Sequence, residues 1–199
     1  MLSLNQVIVK EHVGFFKLSD AYDIINPETG KKVGLAKEVV AGWVHVLRLV
    51  IDKGMLPTSI VFINAPDEQG QGESVMSIER GFTFLRSKIR VVVGQGREIG
   101  YFKSKLFTIG GGFVIYDTAD KKVGEIKGDW KGWNFNVLDE HGSVIGMVAK
   151  QWAGLGKELF TTADTYVIQV IGEAAKNEAV RSLILAAGIA IDTVYKEKG

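Results

Sequence analysis

Cysteine is absent from the 199 residues, and proline occurs three times. Without cysteine there can be no disulfide framework, no thiolate metal site, no cysteine nucleophile and no S-acylation, and the chain suits a reducing compartment. Three prolines beside 24 glycines point to tight β-turns and away from disorder. Net charge is only +1. The strongly basic footprint of a nucleic-acid binder is missing, so no nucleic-acid partner is expected. The opening MLSLNQVIVKEHVG lacks the charged start and long apolar run of a signal peptide.

Catalytic signals are equally scarce. His12, His45 and His141 are scattered and show no ligand spacing such as HExxH. No serine occupies a G-x-S-x-G elbow. Gly94-Gln-Gly-Arg-Glu-Ile-Gly100 has the wrong spacing for a dinucleotide fingerprint and runs into strand-like sequence where a helix is required. A non-enzymatic role is therefore expected.

Long hydrophobic runs are also few. The one that matters is Glu178–Tyr195, EAVRSLILAAGIAIDTVY. It is apolar around its whole girth, and such a helix is buried in a core or crosses a membrane. Its uncharged part, Ser182–Ile191, is about half of the ~20 residues a membrane span needs. Arg181 and Asp192 would also be placed in hydrocarbon, where a central charge costs at least ~2.5 kcal/mol. The pattern predicts a core helix carrying Leu183, Ile184, Leu185, Ala187, Ile189 and Ile191 inward, and no transmembrane insertion.

One short unit recurs along the rest of the chain. Tyr22–Glu38, Ile89–Lys105, Phe113–Lys127 and Phe135–Lys150 each hold an apolar strand, a polar turn, a Val-Gly or Ile-Gly pair and a return strand. These read as β-hairpins. Gly34, Gly100, Gly124 and Gly146 mark a bulge or a close backbone approach. Ser59–Asn64, Gly72–Glu79, Gly81–Ser87, Phe107–Thr108 and Tyr166–Ile171 complete a set of about a dozen strands. So many antiparallel strands close on themselves or leave exposed edges. A barrel of about twelve is too wide for its own side chains, because roughly eight strands is the size they just fill. The C-terminal helix is the expected filling. The fold class is mainly β, a closed antiparallel barrel of about twelve strands around a central hydrophobic helix, with residues 1–199 as one domain.

Ala36–Lys53 departs from this pattern. Val39, Val40, Trp43, Val46, Leu47 and Val50 fall on one face at helical spacing. Trp43–Val50 also reads as an alternating strand. As a helix, it is expected to pack on a barrel mouth or to serve as a membrane-surface or partner helix.

Lys127-Gly-Asp-Trp130-Lys131-Gly-Trp133 interleaves cations with aromatics. Lys127, Trp130 and Lys131 are candidates for an anionic headgroup contact, where tryptophan favours the interface and each nearby lysine contributes ~1 kcal/mol. The competing reading is an ordinary hairpin with one tryptophan packed into the wall.

Ile145–Gln169, IGMVAKQWAGLGKELFTTADTYVIQ, resembles the phospholipid scramblase family. The shared elements are Ile145-Gly146, Lys150 to Gly154, Glu158 to Thr161, and Ala163-Asp164 with Tyr166. The block is also similar to the LURP-one-related proteins of the tubby C-terminal-like superfamily. The resemblance implies a barrel of about twelve strands around a C-terminal helix, and a phospholipid scramblase-related function. It also implies a calcium segment after the Phe-Thr pair. Here Asp164 matches, Thr162 replaces the first family aspartate, and Glu173 is the only later carboxylate. Calcium takes six to eight oxygens, so this pair is a degenerate site, and Asp164 has an alternative role as a turn cap. The family's cysteine cluster and proline-rich extension are missing. The expected protein binds phospholipid headgroups from the cytoplasm and peripherally to the membrane. The alternative is an intracellular protein-interaction or regulatory module with no lipid role. Nothing in the pattern specifies an oligomeric state.

Overall fold

The computed structural model describes residues 1–12, 19–67, 69–83, 87–105, 112–129, 131–150 and 165–196. Twelve antiparallel strands close into one barrel in sequence order. They are β1 (Gln6–Glu11), β2 (Ala21–Ile25), β3 (Lys32–Val39), β4 (Thr58–Asn64), β5 (Glu73–Arg80) and β6 (Lys88–Val93), then β7 (Arg97–Ser104), β8 (Gly112–Tyr116), β9 (Lys122–Asp129), β10 (Asn134–Asp139), β11 (Val144–Ala149) and β12 (Thr165–Val170). The seam is β1 on β12, with Gln6 opposite Gln169 and Lys10 opposite Thr165. Closure removes every edge strand and with it the exposed ladder that invites aggregation.

Five hairpins share one irregularity. In β2–β3, β4–β5, β6–β7, β8–β9 and β10–β11 the register shifts by one residue. The residue passed over is Val33, Val75, Ile99, Val123 and Ile145 in turn, and each packs partly buried against the core. A bulge adds one residue and sharpens the local twist, so five of them help the sheet curl shut. Four are followed by the recurring glycines, and the fifth by Met76. At Gly124 the reason is steric, because a Cβ would lie 2.4 Å from the Leu138 carbonyl oxygen of the neighbouring strand. The polar turns repeat a second device. Asp67, Asp117 and Asp139 each accept a backbone N–H four residues on, from Gln71, Lys121 and Ser143.

The interior is filled by helix α2 (Glu178–Lys196). Asn177 opens it by accepting from the Ala179 and Val180 amides through Oδ1, as an N-cap should. Ala186, Ala187, Ile189, Ala190 and Ile191 are fully buried, Ile184 and Leu185 nearly so, and Leu183 partly. The helix meets the wall on several sides. Tyr22 of β2 reaches Asp192, Ile184 lies against Gly146 of β11, and Gly188 lies against Ile168 of β12. The two charges that bracket its apolar run have partners within the protein. Arg181 donates to the carbonyls of Leu2 and Ala175, and Asp192 accepts from Tyr22.

Three expectations need correction. β1 is a strand that the repeat-based reading passed over, because no tight turn joins it to β2, its partner on one side, and its other partner, β12, lies across the seam. Gly81–Ser87 is not a strand at its described positions, Gly81–Thr83 and Ser87. Ala36–Lys53 is neither one helix nor a strand at Trp43–Val50. Ala36–Val39 completes β3, Gly42–Leu47 forms a short helix α1, and Lys53–Met55 makes a 3₁₀ turn. Pairing with β4 through Val39↔Ser59 captures the β-branched start of the segment before helical periodicity can act. Phe107–Thr108 lies outside the described residues.

Candidate functional site

Two ionic clusters and one apolar tip stand out, the first cluster inside the barrel mouth, on the strand faces that carry Ala36 and Ile60, and the other two features on the outer surface. The first cluster centres on Glu38, a buried carboxylate at the end of β3. Arg48 grips it with two guanidinium hydrogen bonds of 3.3 and 2.6 Å. The Thr58 hydroxyl and the Asp20 amide also donate to it. Lys53 is 3.6 Å away and forms a 2.5 Å bridge to Asp20. Burial by itself pushes the Glu38 carboxyl up, but the Arg48 and Thr58 hydrogen bonds and the Lys53 charge outweigh it and hold the group below its usual range. The cluster ties the α1 segment to β3, to β4 and to Asp20, just before β2.

The second cluster centres on Glu125, on the outer face of β9. Lys105 and Lys127 hydrogen-bond it at 2.8 and 2.5 Å, and Lys122 lies at 3.7 Å. The Lys105 and Lys127 bonds hold its carboxyl down at about 2. Three cations around one carboxylate leave the face positive.

The tip is α1 and the turns after it. Leu49 and Val50 are each 82 % exposed, Val46 65 % and Trp43 52 %. Trp43 stacks on Phe82, which follows β5, with ring centroids 6.1 Å apart. The expectation that this apolar face packs on the barrel mouth is therefore corrected: within α1 it is Val44, from the opposite side, that is buried. A six-residue helix has too little surface to bury both faces.

The residues expected to form a lipid contact are placed as follows. Lys127 is on β9, exposed and bridged to Glu125, and Lys131 is exposed in the turn between β9 and β10. Trp130 lies outside the described residues. Trp133 closes the turn with φ 47°, packs 5.3 Å from Tyr166, and carries Lys150 4.8 Å above its ring. It is the tryptophan packed into the wall.

Of the degenerate calcium pair, Asp164 lies outside the described residues. Glu173 is exposed in a 3₁₀ turn and bridges Lys176 at 2.8 Å. Among the described residues no three His, Cys, Asp or Glu side chains gather as a metal cage would require. A pocket between Leu4, Val7, Val170, Arg181 and Leu185 measures about 10 Å³, room for roughly one water. The Glu38 cluster and the Tyr22–Asp192 pair carried no sequence signal, since their partners are brought together by strand register and not by spacing. The exposed tip had a weak one: an apolar stripe that begins inside a strand is too short for the helix it suggests.

A twelve-stranded barrel enclosing its own C-terminal helix defines a narrow structural class. Within it, residues 65–198 match the Scramblase family, and the chain belongs to that family. Residues of the chain also align at 25 % identity over 122 positions with Altered inheritance rate of mitochondria protein 25 of Saccharomyces cerevisiae, covering 49 % of this chain and 37 % of the yeast protein. The chain thus matches little more than a third of that relative's length. No solved structure matches the chain.

Proposed function

We infer that this scramblase-related barrel is non-enzymatic and associates with phospholipid headgroups from its outside, peripherally to the membrane and on its cytoplasmic side. Family membership supports a lipid role. The observation that directs it to the outer surface is the enclosure of α2. The one segment apolar enough to suggest a membrane anchor is the filling of the barrel, and no helix among the described residues is long and apolar enough to cross a bilayer. The wall argues in the same direction. Outward positions on β6 and β9 include Lys88, Arg90, Glu125 and Lys127 beside Val92, whereas a membrane-spanning barrel needs a continuous outward apolar band. A barrel filled by its own helix offers no hydrophilic path for a headgroup, so binding is favoured over scrambling.

Co-sedimentation with vesicles of phosphatidylcholine, with and without an anionic phospholipid, tests the reading. Binding should need the anionic lipid and weaken in Lys127→Glu/Lys131→Glu. Absence of binding to every composition would favour the alternative, a protein-interaction module with no lipid role. Reconstituted vesicles carrying fluorescent lipid should show no calcium-stimulated loss of leaflet asymmetry, and such a loss would overturn the preference for binding.

A further inference from the structure

Among the described residues, seven of the eight large exposed apolar side chains, all except Val144, lie within Val39–Met55 or at Phe82. They sit together on one sector of one rim. α1 joins β3 to β4, Phe82 follows β5, and the Thr83 amide donates to the Met55 carbonyl across the gap. Scattered apolar side chains are ordinary on a protein surface, but a contiguous group marks an interaction site.

The shape and the charge around the tip select its occupant. The tip is convex. α1 has six residues, too few for the repeated anchors of a helix in a groove, and the closed barrel has no free edge on which a partner strand could add. The charges beneath it are turned inward: Arg48 is held on Glu38, and Lys53 on Asp20. Asp52 caps the Gly54 amide. Around the same rim the wall is rich in lysine, with the carboxylates Glu79 and Asp129 among them. Strands alternate in direction, so the C-terminal ends of odd strands and the N-terminal ends of even ones share the α1 rim. Lys37, Lys88, Lys103 and Lys127 all lie toward it, and Lys88 and Lys103 are cross-strand neighbours. The opposite rim carries the carboxylate-capped turns of Asp67, Asp117 and Asp139. Cations ringing an aliphatic tip with an aromatic pair at its side complement an anionic bilayer surface, where aromatic rings settle at headgroup level and aliphatics below.

We propose that the α1 rim is the membrane-docking surface, with Leu49 and Val50 entering the acyl boundary, Trp43 and Phe82 lying at the interface, and the rim lysines meeting anionic headgroups. This rests on the lipid-binding reading above and adds to it the docking segment and the orientation, with the barrel axis steep to the membrane and the Asp67–Asp117–Asp139 rim facing away.

The cysteine-free sequence makes the test direct. Val50→Cys and, as a control on the far rim, His141→Cys are each labelled with an environment-sensitive fluorophore and mixed with vesicles containing phosphatidylserine. The probe at 50 should shift to the blue and brighten, and the probe at 141 should not change. Leu49→Asp/Val50→Asp should lower the vesicle partition coefficient at least ~10-fold with thermal stability unchanged. If the wild type sediments with vesicles while the probe at 50 stays in water and the double variant still binds, the docking assignment is wrong and the lipid reading stands. If the wild type does not sediment at all, both fall. If sedimentation equilibrium shows a dimer that Leu49→Asp dissociates, the tip is a contact between copies and the assignment is overturned.

Discussion

The Tyr22 hydroxyl donates a 2.7 Å hydrogen bond to Asp192 Oδ2 inside the barrel, joining β2 to the last turns of α2 across 170 positions of sequence. Both side chains are buried. A charge-assisted bond of this kind contributes roughly 1.5–3 kcal/mol, and removing one partner leaves the other to bear its desolvation. Tyr22→Phe should therefore destabilise the fold by about 1–3 kcal/mol in urea unfolding, with an unchanged m-value. A change below ~0.5 kcal/mol would mean that water or another donor replaces the hydroxyl without loss.

The same environment sets the response to alkali. Burial, then the Asp192 charge, raise the Tyr22 phenol well above its usual value, and burial followed by Asp192 and Glu11 does the same to Tyr166. Both must stay neutral in the fold. Their stabilisation is complete below the unfolded value near pH 10 and declines as pH rises beyond it, by up to ~1.4 kcal/mol per pH unit for each tyrosine. Stability measured between pH 9 and 11 should fall in that upper half. In Tyr22→Phe the slope should be shallower by about one tyrosine's share, and an equal slope in both proteins contradicts the assignment.

How far the sequence discloses this molecule depends on the range of the interaction. The hairpins were legible because the Val-Gly or Ile-Gly pair is a local signal that recurs at four of the five bulges, and a turn aspartate marks three of the five hairpins. α2 was legible because its composition leaves a single role inside a wide barrel. β1 was lost because its partners are at Thr165–Gln169 and Tyr22–Ile25, outside any window that reads hairpins. α1 was misjudged for the opposite reason. Its stripe is real, but β3 takes the first residues and the tertiary frame leaves the stripe facing outward. The lysines at 127 and 131 were recognisable as a basic turn, but the carboxylate that engages Lys127 is two residues back on the same strand face, a pairing that only the strand conformation creates.

The Glu38–Arg48 pair is expected to be costly to break. The carboxylate is almost fully buried, and stranding one member of a buried pair costs about 3–5 kcal/mol. Arg48→Met should cost that much at pH 7, and Glu38→Gln/Arg48→Met should recover part of it. The pH dependence carries the sign. The folded-state value of Glu38 is lowered, so its stabilisation is present above about pH 4.5 and is lost as pH falls below it. Glu125, held at about 2, loses its share between ~4.5 and ~2. Glu125→Gln should flatten the acid limb of the stability profile, and an unaltered limb would show that the three lysines do not act on folding.

Gly188 of α2 poses a contest between local preference and packing. Replacing a helical glycine by alanine is worth about 1 kcal/mol in propensity, so an exposed helix would gain. Here the new Cβ would lie 2.3 Å from Ile168 Cδ1 and 2.7 Å from Cγ1. Ile168 is buried, β-branched and paired on both sides, with Val7 and Val148, so it cannot swing aside as an end-of-chain group would. Overpacking costs typically 1–3 kcal/mol. With one close contact on a carbon next to the branch point, the upper part of that range applies and packing wins: Gly188→Ala should destabilise by about 1–2 kcal/mol. Ile168→Val removes Cδ1 at a cost of roughly 0.5–1.5 kcal/mol. In the double variant the relieved clash should restore at least ~0.5 kcal/mol relative to the sum of the single changes. Additivity within error would place the cost of Gly188→Ala elsewhere than at Ile168, and a stabilised single variant would mean that α2 does not sit close against β12.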